Sequence, residues 1–157
     1  MTTRLSSSSS LSIGSVWNPH KGHGMRNNIR YRYNNSSSSM NKLFNADYRY
    51  FRGSGEEIDL SGVYSFNTHF SIIGKYNYSF SNNRRDTEDL IDTMLGLEYD
   101  SCCYSLKLVA RDYWTGTKTD NALFIEFLPK GLTTTNNKTS ALLRRGIYGY
   151  EDQTDYE

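Results

Sequence analysis

The sequence predicts an all-β protein: about eight antiparallel strands in meander order, forming a transmembrane β-barrel segment, either part of a larger barrel or a small closed one. Three observations carry this. Apolar and polar residues alternate with period two along most of the chain, and helical periodicity is nowhere sustained. The alternating segments run near ten residues, long for a globular strand and suited to a tilted strand crossing a bilayer. Tyr occurs 13 times and Pro only twice, a bias that fits exposed sheet and does not fit a disordered chain.

The strands are expected near residues 5–18, 25–34, 42–52, 57–67, 70–81, 90–101, 103–114 and 121–128. The first is flanked by the serine run Ser6 to Ser10, which weakens it, and ends at the turn Asn18-Pro19-His20-Lys21-Gly22. In the second, Ile29, Tyr31 and Tyr33 oppose Arg30 and Arg32. A second serine run, Ser36 to Ser39, leads into the third, where Phe44, Ala46, Tyr48 and Tyr50 oppose Asn45, Asp47 and Arg49. Gly53-Ser54-Gly55 separates it from the fourth, in which Ile58, Leu60, Gly62, Tyr64 and Phe66 oppose Asp59, Ser61, Val63, Ser65 and Asn67. The fifth is the clearest: Phe70, Ile72, Gly74, Tyr76, Tyr78 and Phe80 share one face, and only Ile73 is discordant on the polar one. After Asn82-Asn83-Arg84-Arg85-Asp86 comes the sixth, with Leu95, Leu97 and Tyr99 opposing Glu98 and Asp100. The seventh sets Tyr104, Leu106, Leu108 and Ala110 against Ser105, Lys107 and Arg111, and Thr115-Gly116-Thr117 divides it from the eighth. Residues 1–132 thus form the barrel segment, and 133–157 read as a polar, poorly ordered tail with a short turn at Leu142-Leu143.

Charge is balanced, 18 basic against 17 acidic residues, which argues against a nucleic-acid partner. No apolar run reaches the roughly 18 residues that a membrane-spanning helix needs. The start, Met1-Thr2-Thr3-Arg4-Leu5 and then five serines, offers no apolar core of a secretory signal, so a signal peptide is expected to be absent. The polar strand faces carry charges in mid-strand: Arg30, Arg32, Arg49, Lys75 and Glu98 are expected to line a polar lumen. The apolar faces cluster aromatics toward strand ends, as the interfacial girdles of outer-membrane barrels do. The two shortest connections, Asn67-Thr68-His69 and Ser101-Cys102-Cys103, fall at the same end, which is then the periplasmic side; the connection at Ser36 to Asn41 shares it and is longer than expected.

Cys102 and Cys103 are the only cysteines. Adjacent cysteines bridge each other poorly, because a vicinal disulfide strains the intervening peptide. Either the thiols are idle or the chain belongs to something larger.

Gly96-Leu97-Glu98-Tyr99, then Cys102-Cys103-Tyr104, then Asn121-Ala122-Leu123-Phe124-Ile125-Glu126-Phe127 and Lys130-Gly131-Leu132 resemble the C-terminal end of the LPS-assembly protein LptD family. The resemblance implies a place in the outer-membrane translocon that delivers lipopolysaccharide to the cell surface, in the outer membrane of a Gram-negative cell. It implies that Cys102 and Cys103 form disulfides with partners outside this chain, and that Asn121, Leu123, Ile125 and Phe127 lie on the last strand, one lip of a lateral gate. The implied partners are lipopolysaccharide, the plug lipoprotein LptE, an N-terminal half of LptD missing from this chain, and outer-membrane lipid. The chain is accordingly expected to be a fragment.

Other candidate sites have plainer explanations. His20 and His23 have a His-x-x-His spacing but sit in a loop without a nearby carboxylate or thiol, so no metal is expected. Glu98 and Asp100 lie two apart, and are better read as opposing Lys107 and Arg111 on the next strand than as catalytic carboxylates. No Gly-x-Ser-x-Gly motif is present. No catalytic residue, enzyme activity or cofactor is expected. The alternatives are a self-contained small outer-membrane barrel of structural or adhesive role, and a soluble lipocalin-like barrel with apolar residues inside.

Overall fold

A computed structural model describes residues 2–20, 23–37, 40–53, 55–80, 90–130 and 138–150. Nine strands, β1 (Thr2–Arg4), β2 (Ser9–Asn18), β3 (His23–Ser37), β4 (Met40–Phe51), β5 (Gly55–Ser65), β6 (Phe70–Phe80), β7 (Leu90–Asp100), β8 (Tyr104–Trp114) and β9 (Thr119–Pro129), form one sheet in sequential order. Every neighbouring pair is antiparallel. The sheet is an open meander, with β1 and β9 at its two edges.

Nine strands appear where eight were expected: the first predicted strand, 5–18, begins only at Ser9, its serines form a turn, and residues 2–4 ahead of them make a further strand. The Leu5 and Ser6 amides both donate to the Ser9 carbonyl, at 3.0 and 3.2 Å, while the Ser6 hydroxyl contacts Ser9 Oγ and accepts from the Ser8 amide. Serine side chains offer the backbone a local alternative to a ladder, so the chain turns here and β1 folds back on β2. The connection after the second serine run is tighter than expected: Ser37 pairs with Met40, so only residues 38–39 intervene. All four connections at that end, 5–8, 38–39, 66–69 and 101–103, are therefore short. The predicted turn at Asn82 to Asp86 lies outside the described residues.

Within the segment expected to be a polar tail, the helix α1 (Lys138–Gly146) packs on the sheet. The Ile147 amide donates to the Leu143 carbonyl at 2.8 Å, and the turn that follows brings in Tyr150. Leu143 and Ile147 are fully buried and Tyr150 nearly so. Their spacing of four and then three residues puts all three on one side of a helical path.

The floor under α1 explains the apolar residues found on the polar strand faces. Asn34, Leu43, Val63, Ile73, Gly96, Val109 and Phe124 are successive register partners across β3 to β9, a row running perpendicular to the strands. Leu43, Val63, Ile73 and Val109 are buried in one cluster with Leu143, Ile147 and Tyr150, and Phe124 packs against it. Gly96 keeps the row continuous: a Cβ there would lie 3.1 Å from Val109 Cγ2 and 3.3 Å from Ile73 Cβ.

Candidate functional site: an ion-paired face, a cysteine bend and an edge strand

The face that α1 covers is polar beyond that row. Register aligns Ser65, Ser71, Glu98, Lys107 and Glu126 across β5 to β9. Lys107 has 0% exposure, yet its ammonium is satisfied: Nζ lies 3.5 Å from Glu98 Oε1, donates to Ser140 Oγ at 2.8 Å, and sits 5.8 Å from the Tyr150 ring. Ser140 in turn donates to Glu126 Oε2 at 3.2 Å, and the Tyr150 hydroxyl donates to Glu98 Oε2 at 3.4 Å. The C-terminal segment is thus bound to β7, β8 and β9 through one buried network. A buried charge of this kind is tolerable only when paired and hydrogen-bonded on all sides.

The five residues expected to line a polar lumen all lie in this sheet and all have ionic partners. Asp47 receives Arg30 at 2.7 Å and Arg32 at 2.6 Å, the latter also stacking over the Tyr148 ring at 5.0 Å. Arg49 pairs with Glu57 at 3.3 Å, and Lys75 with Asp92 at 2.8 Å. Glu98 meets Lys107 as the sequence suggested, but Asp100 does not meet Arg111. Asp100 stands opposite Ser105, and the side chain that reaches it is Lys130, at 2.9 Å, entering from the end of β9; Arg111 binds Asp92 at 2.7 Å instead. Of this buried network the sequence paired Glu98 with Lys107; the contributions of Glu126, Ser140 and Tyr150 were not singled out.

The opposite face is apolar and uncovered. Leu95, Leu123 and Ile125 are 64%, 63% and 68% exposed, with Leu60, Leu97, Leu106 and Leu108 also open. This inverts the arrangement of a soluble sheet and of a lipocalin-like barrel, whose apolar residues point inward. At the short-turn end the aromatics of this face touch in sequence across four strands: Phe70 to Tyr99 at 4.7 Å, Tyr99 to Tyr104 at 5.8 Å, and Tyr104 to Phe127 at 5.5 Å. At the far end of β6, Tyr76, Tyr78 and Phe80 make a second group, with centroids 6.1 and 4.7 Å apart. Phe70 to Phe80 spans the whole of β6, roughly 33 Å along the strand. At the tilt of about 40° usual in barrels that is a height of about 25 Å, the apolar band of an outer-membrane barrel.

The cysteine bend is held by its neighbours. The Ser101 amide donates to the Tyr104 carbonyl at 2.9 Å, the Lys130 amide to the Cys103 carbonyl at 2.8 Å, and the Asp100 amide to the His69 carbonyl at 2.7 Å. His69 Nδ1 returns a bond to the Asp100 carbonyl at 2.8 Å, fastening two adjacent short turns together. Both thiols are free and exposed, with Sγ atoms 2.9 Å apart. The Cys103 thiol, and then the Ser101 hydroxyl, hold the Cys102 thiol below the ordinary thiol range, while Cys103 is pushed up by Cys102.

Asn121, Leu123, Ile125 and Phe127 share the uncovered face of β9, which pairs with β8 from Thr119 to Pro129 and ends the sheet. His20 lies in the β2–β3 turn, and the side chain of His23 is outside the described residues.

No family model matches the chain. Among curated proteins it is 34% identical over 143 residues to the LPS-assembly protein LptD of Xylella fastidiosa, a match covering 85% of this chain. It is 33% identical over 110 residues, 69% of the chain, to LptD of Nitrosococcus oceani, and 28% identical over 168 aligned positions, 88% of the chain, to LptD of Pseudomonas aeruginosa. This chain is a homologue of LptD. It spans 14–17% of the length of these LptD relatives. Over that span the LptD resemblance covers the meander as well as the cysteine bend.

Proposed function

We propose that this chain is a C-terminal barrel segment of an LptD-type translocon, acting in lipopolysaccharide assembly at the outer membrane of a Gram-negative cell. The observation that carries the proposal is the inverted polarity of the sheet. Ion pairs and a buried lysine lie on the covered face, and exposed leucines between two aromatic groups lie on the other. Such a sheet is stable when lipid, not water, meets its uncovered face.

In this role the covered face is the lumen side, where LptE would sit, and the uncovered face meets outer-membrane lipid. The bend at Cys102 and Cys103 faces the periplasm, an oxidising compartment in which both thiols would bond to cysteines in the N-terminal part of LptD. Closing loops of hundreds of residues would stabilise by about 4–5 kcal/mol per bridge in the chain-entropy account. By its resemblance to LptD, β9 supplies one lip of the gate through which lipopolysaccharide passes, with Asn121, Leu123, Ile125 and Phe127 toward the membrane. The role proposed is transport of lipopolysaccharide rather than catalysis.

The test is photo-crosslinking from Ile125 in outer membranes of cells carrying the chain within its full LptD context. A lipopolysaccharide adduct at Ile125, with none at Ile73 on the covered row, is expected. Adducts at neither position, with the protein recovered in the soluble fraction, would contradict the proposal.

A further inference from the structure

The uncovered face is not uniformly filled. Gly62 and Gly74 are direct register partners on β5 and β6, so two side chains are missing side by side from the apolar layer. The result is an open pocket of about 700 Å³, within the size range of small-molecule sites. Phe44 and Leu95 bound it across the strands; Leu60 and Tyr76 bound it along them. The glycines are matched to the shape in different ways. A Cβ on Gly62 would lie 2.6 Å from the Leu43 carbonyl oxygen, so no side chain fits; above Gly74 there is nothing within 4 Å, so the space is open.

At the corner nearest the short-turn end stands Lys42, opposite Tyr64, with its Nζ 5.3 Å from the Tyr64 ring centroid. Among the described residues this ammonium has a ring contact and no carboxylate partner. A lysine on a lipid-facing strand keeps its charge by extending toward the headgroup level. The pocket therefore has an apolar body and one cationic corner, and the corner lies at the end where the aromatic row marks the interface.

We infer that this pocket binds one membrane glycerophospholipid of net negative charge, an acyl chain lying over Gly62 and Gly74 and the phosphate meeting Lys42. This rests on the reading above that the uncovered face meets lipid. Electrostatic attraction of about 1 kcal/mol per basic residue near a membrane surface sets the headgroup preference.

The full chain, refolded into phosphatidylcholine vesicles, is irradiated with a trace of phosphatidylglycerol carrying a diazirine in its acyl chain, and separately with the matching phosphatidylcholine probe. Adducts are mapped by mass spectrometry. Phosphatidylglycerol adducts are expected to concentrate on residues 42–46, 60–64 and 72–76. Gly74→Leu, whose Cβ would have no atom within 4 Å and whose side chain would project into the open space, should lower them about tenfold, by excluding two or so methylenes. Lys42→Gln should lower the phosphatidylglycerol preference about fivefold and leave adducts on 123–127 of β9 unchanged. Adducts spread evenly over all strands and indifferent to Gly74→Leu would overturn the pocket while leaving the membrane-facing sheet intact. Crosslinks between two copies across Gly74 would overturn it in favour of a dimer. Absence of adducts anywhere would overturn both the pocket and the membrane reading.

Discussion

Replacing Leu143 by alanine should release the C-terminal segment from the sheet while leaving the strands in place. Leu143 has 0% exposure and packs with Ile147 and Tyr150 on the row formed by Leu43, Val63, Ile73 and Val109. Truncating a fully buried leucine costs about 2–4 kcal/mol, the lost transfer energy plus the cavity it leaves. Here the cost falls on docking of residues 138–150, because the strands keep their own ladders. Arg144 and Arg145, in the last turn of α1, give a direct readout. When local opening is fast relative to cleavage, trypsin cuts in proportion to the open population. At tenfold per 1.4 kcal/mol, cleavage after Arg144 and Arg145 should accelerate roughly 30- to 700-fold. Cleavage after Arg111, inside β8, is the control that the sheet stays folded. Leu142→Ala, at a half-buried position, should accelerate it far less. An unchanged rate in Leu143→Ala would refute the docking of α1 through this residue.

Lys107→Ala should destabilise the chain by about 3–5 kcal/mol, since it leaves Glu98 buried without its cation; Lys107→Met with Glu98→Gln should recover part of that, measured by urea unfolding in micelles. Gly96→Val should cost about 1–3 kcal/mol through overpacking against Val109 and Ile73, whereas Gly74→Ala, with open space above it, should be near neutral in the same assay. Because Cys102 is held below the ordinary thiol range and Cys103 above it, raising the pH should produce the Cys102 thiolate first. Iodoacetamide followed by peptide mapping should therefore label Cys102 at lower pH than Cys103, and the reverse order would contradict the geometry of the bend.

The strands were legible because their side chains alternate with a period of two, and one face had to be apolar. The serine run at 6–10 was not, since its turn depends on hydroxyl bonds that composition announces only as weakness. The helix was missed for a different reason. Leu143, Ile147 and Tyr150 carry its apolar burial, and the buried row residues they meet, Leu43, Val63, Ile73 and Val109, lie 34 to 107 residues away in sequence, counting from Leu143 back to Val109 and from Tyr150 back to Leu43. Ile73, discordant in the alternation, was the local trace of that row. The cysteine bend, the mid-strand charges Arg30, Arg32, Arg49, Lys75 and Glu98, and the strand at 121–128 were all named from sequence, yet the partner of Asp100 was misassigned. Lys130 reaches it only because the end of β9 folds beside the bend, through the bond from its amide to the Cys103 carbonyl.

The central claim is that the leucine-rich face of this sheet meets lipid. In a background with both cysteines changed to serine, single cysteines at Leu95, Ile125 and Thr117 can be reacted with a water-soluble maleimide after refolding into vesicles. Leu95 and Ile125 are on the uncovered face, and Thr117 is in the β8–β9 turn. Leu95→Cys and Ile125→Cys should stay unreacted while Thr117→Cys labels freely, and both should label once the vesicles are dissolved and the chain unfolded. Labelling of all three at the same rate in intact vesicles would contradict the claim.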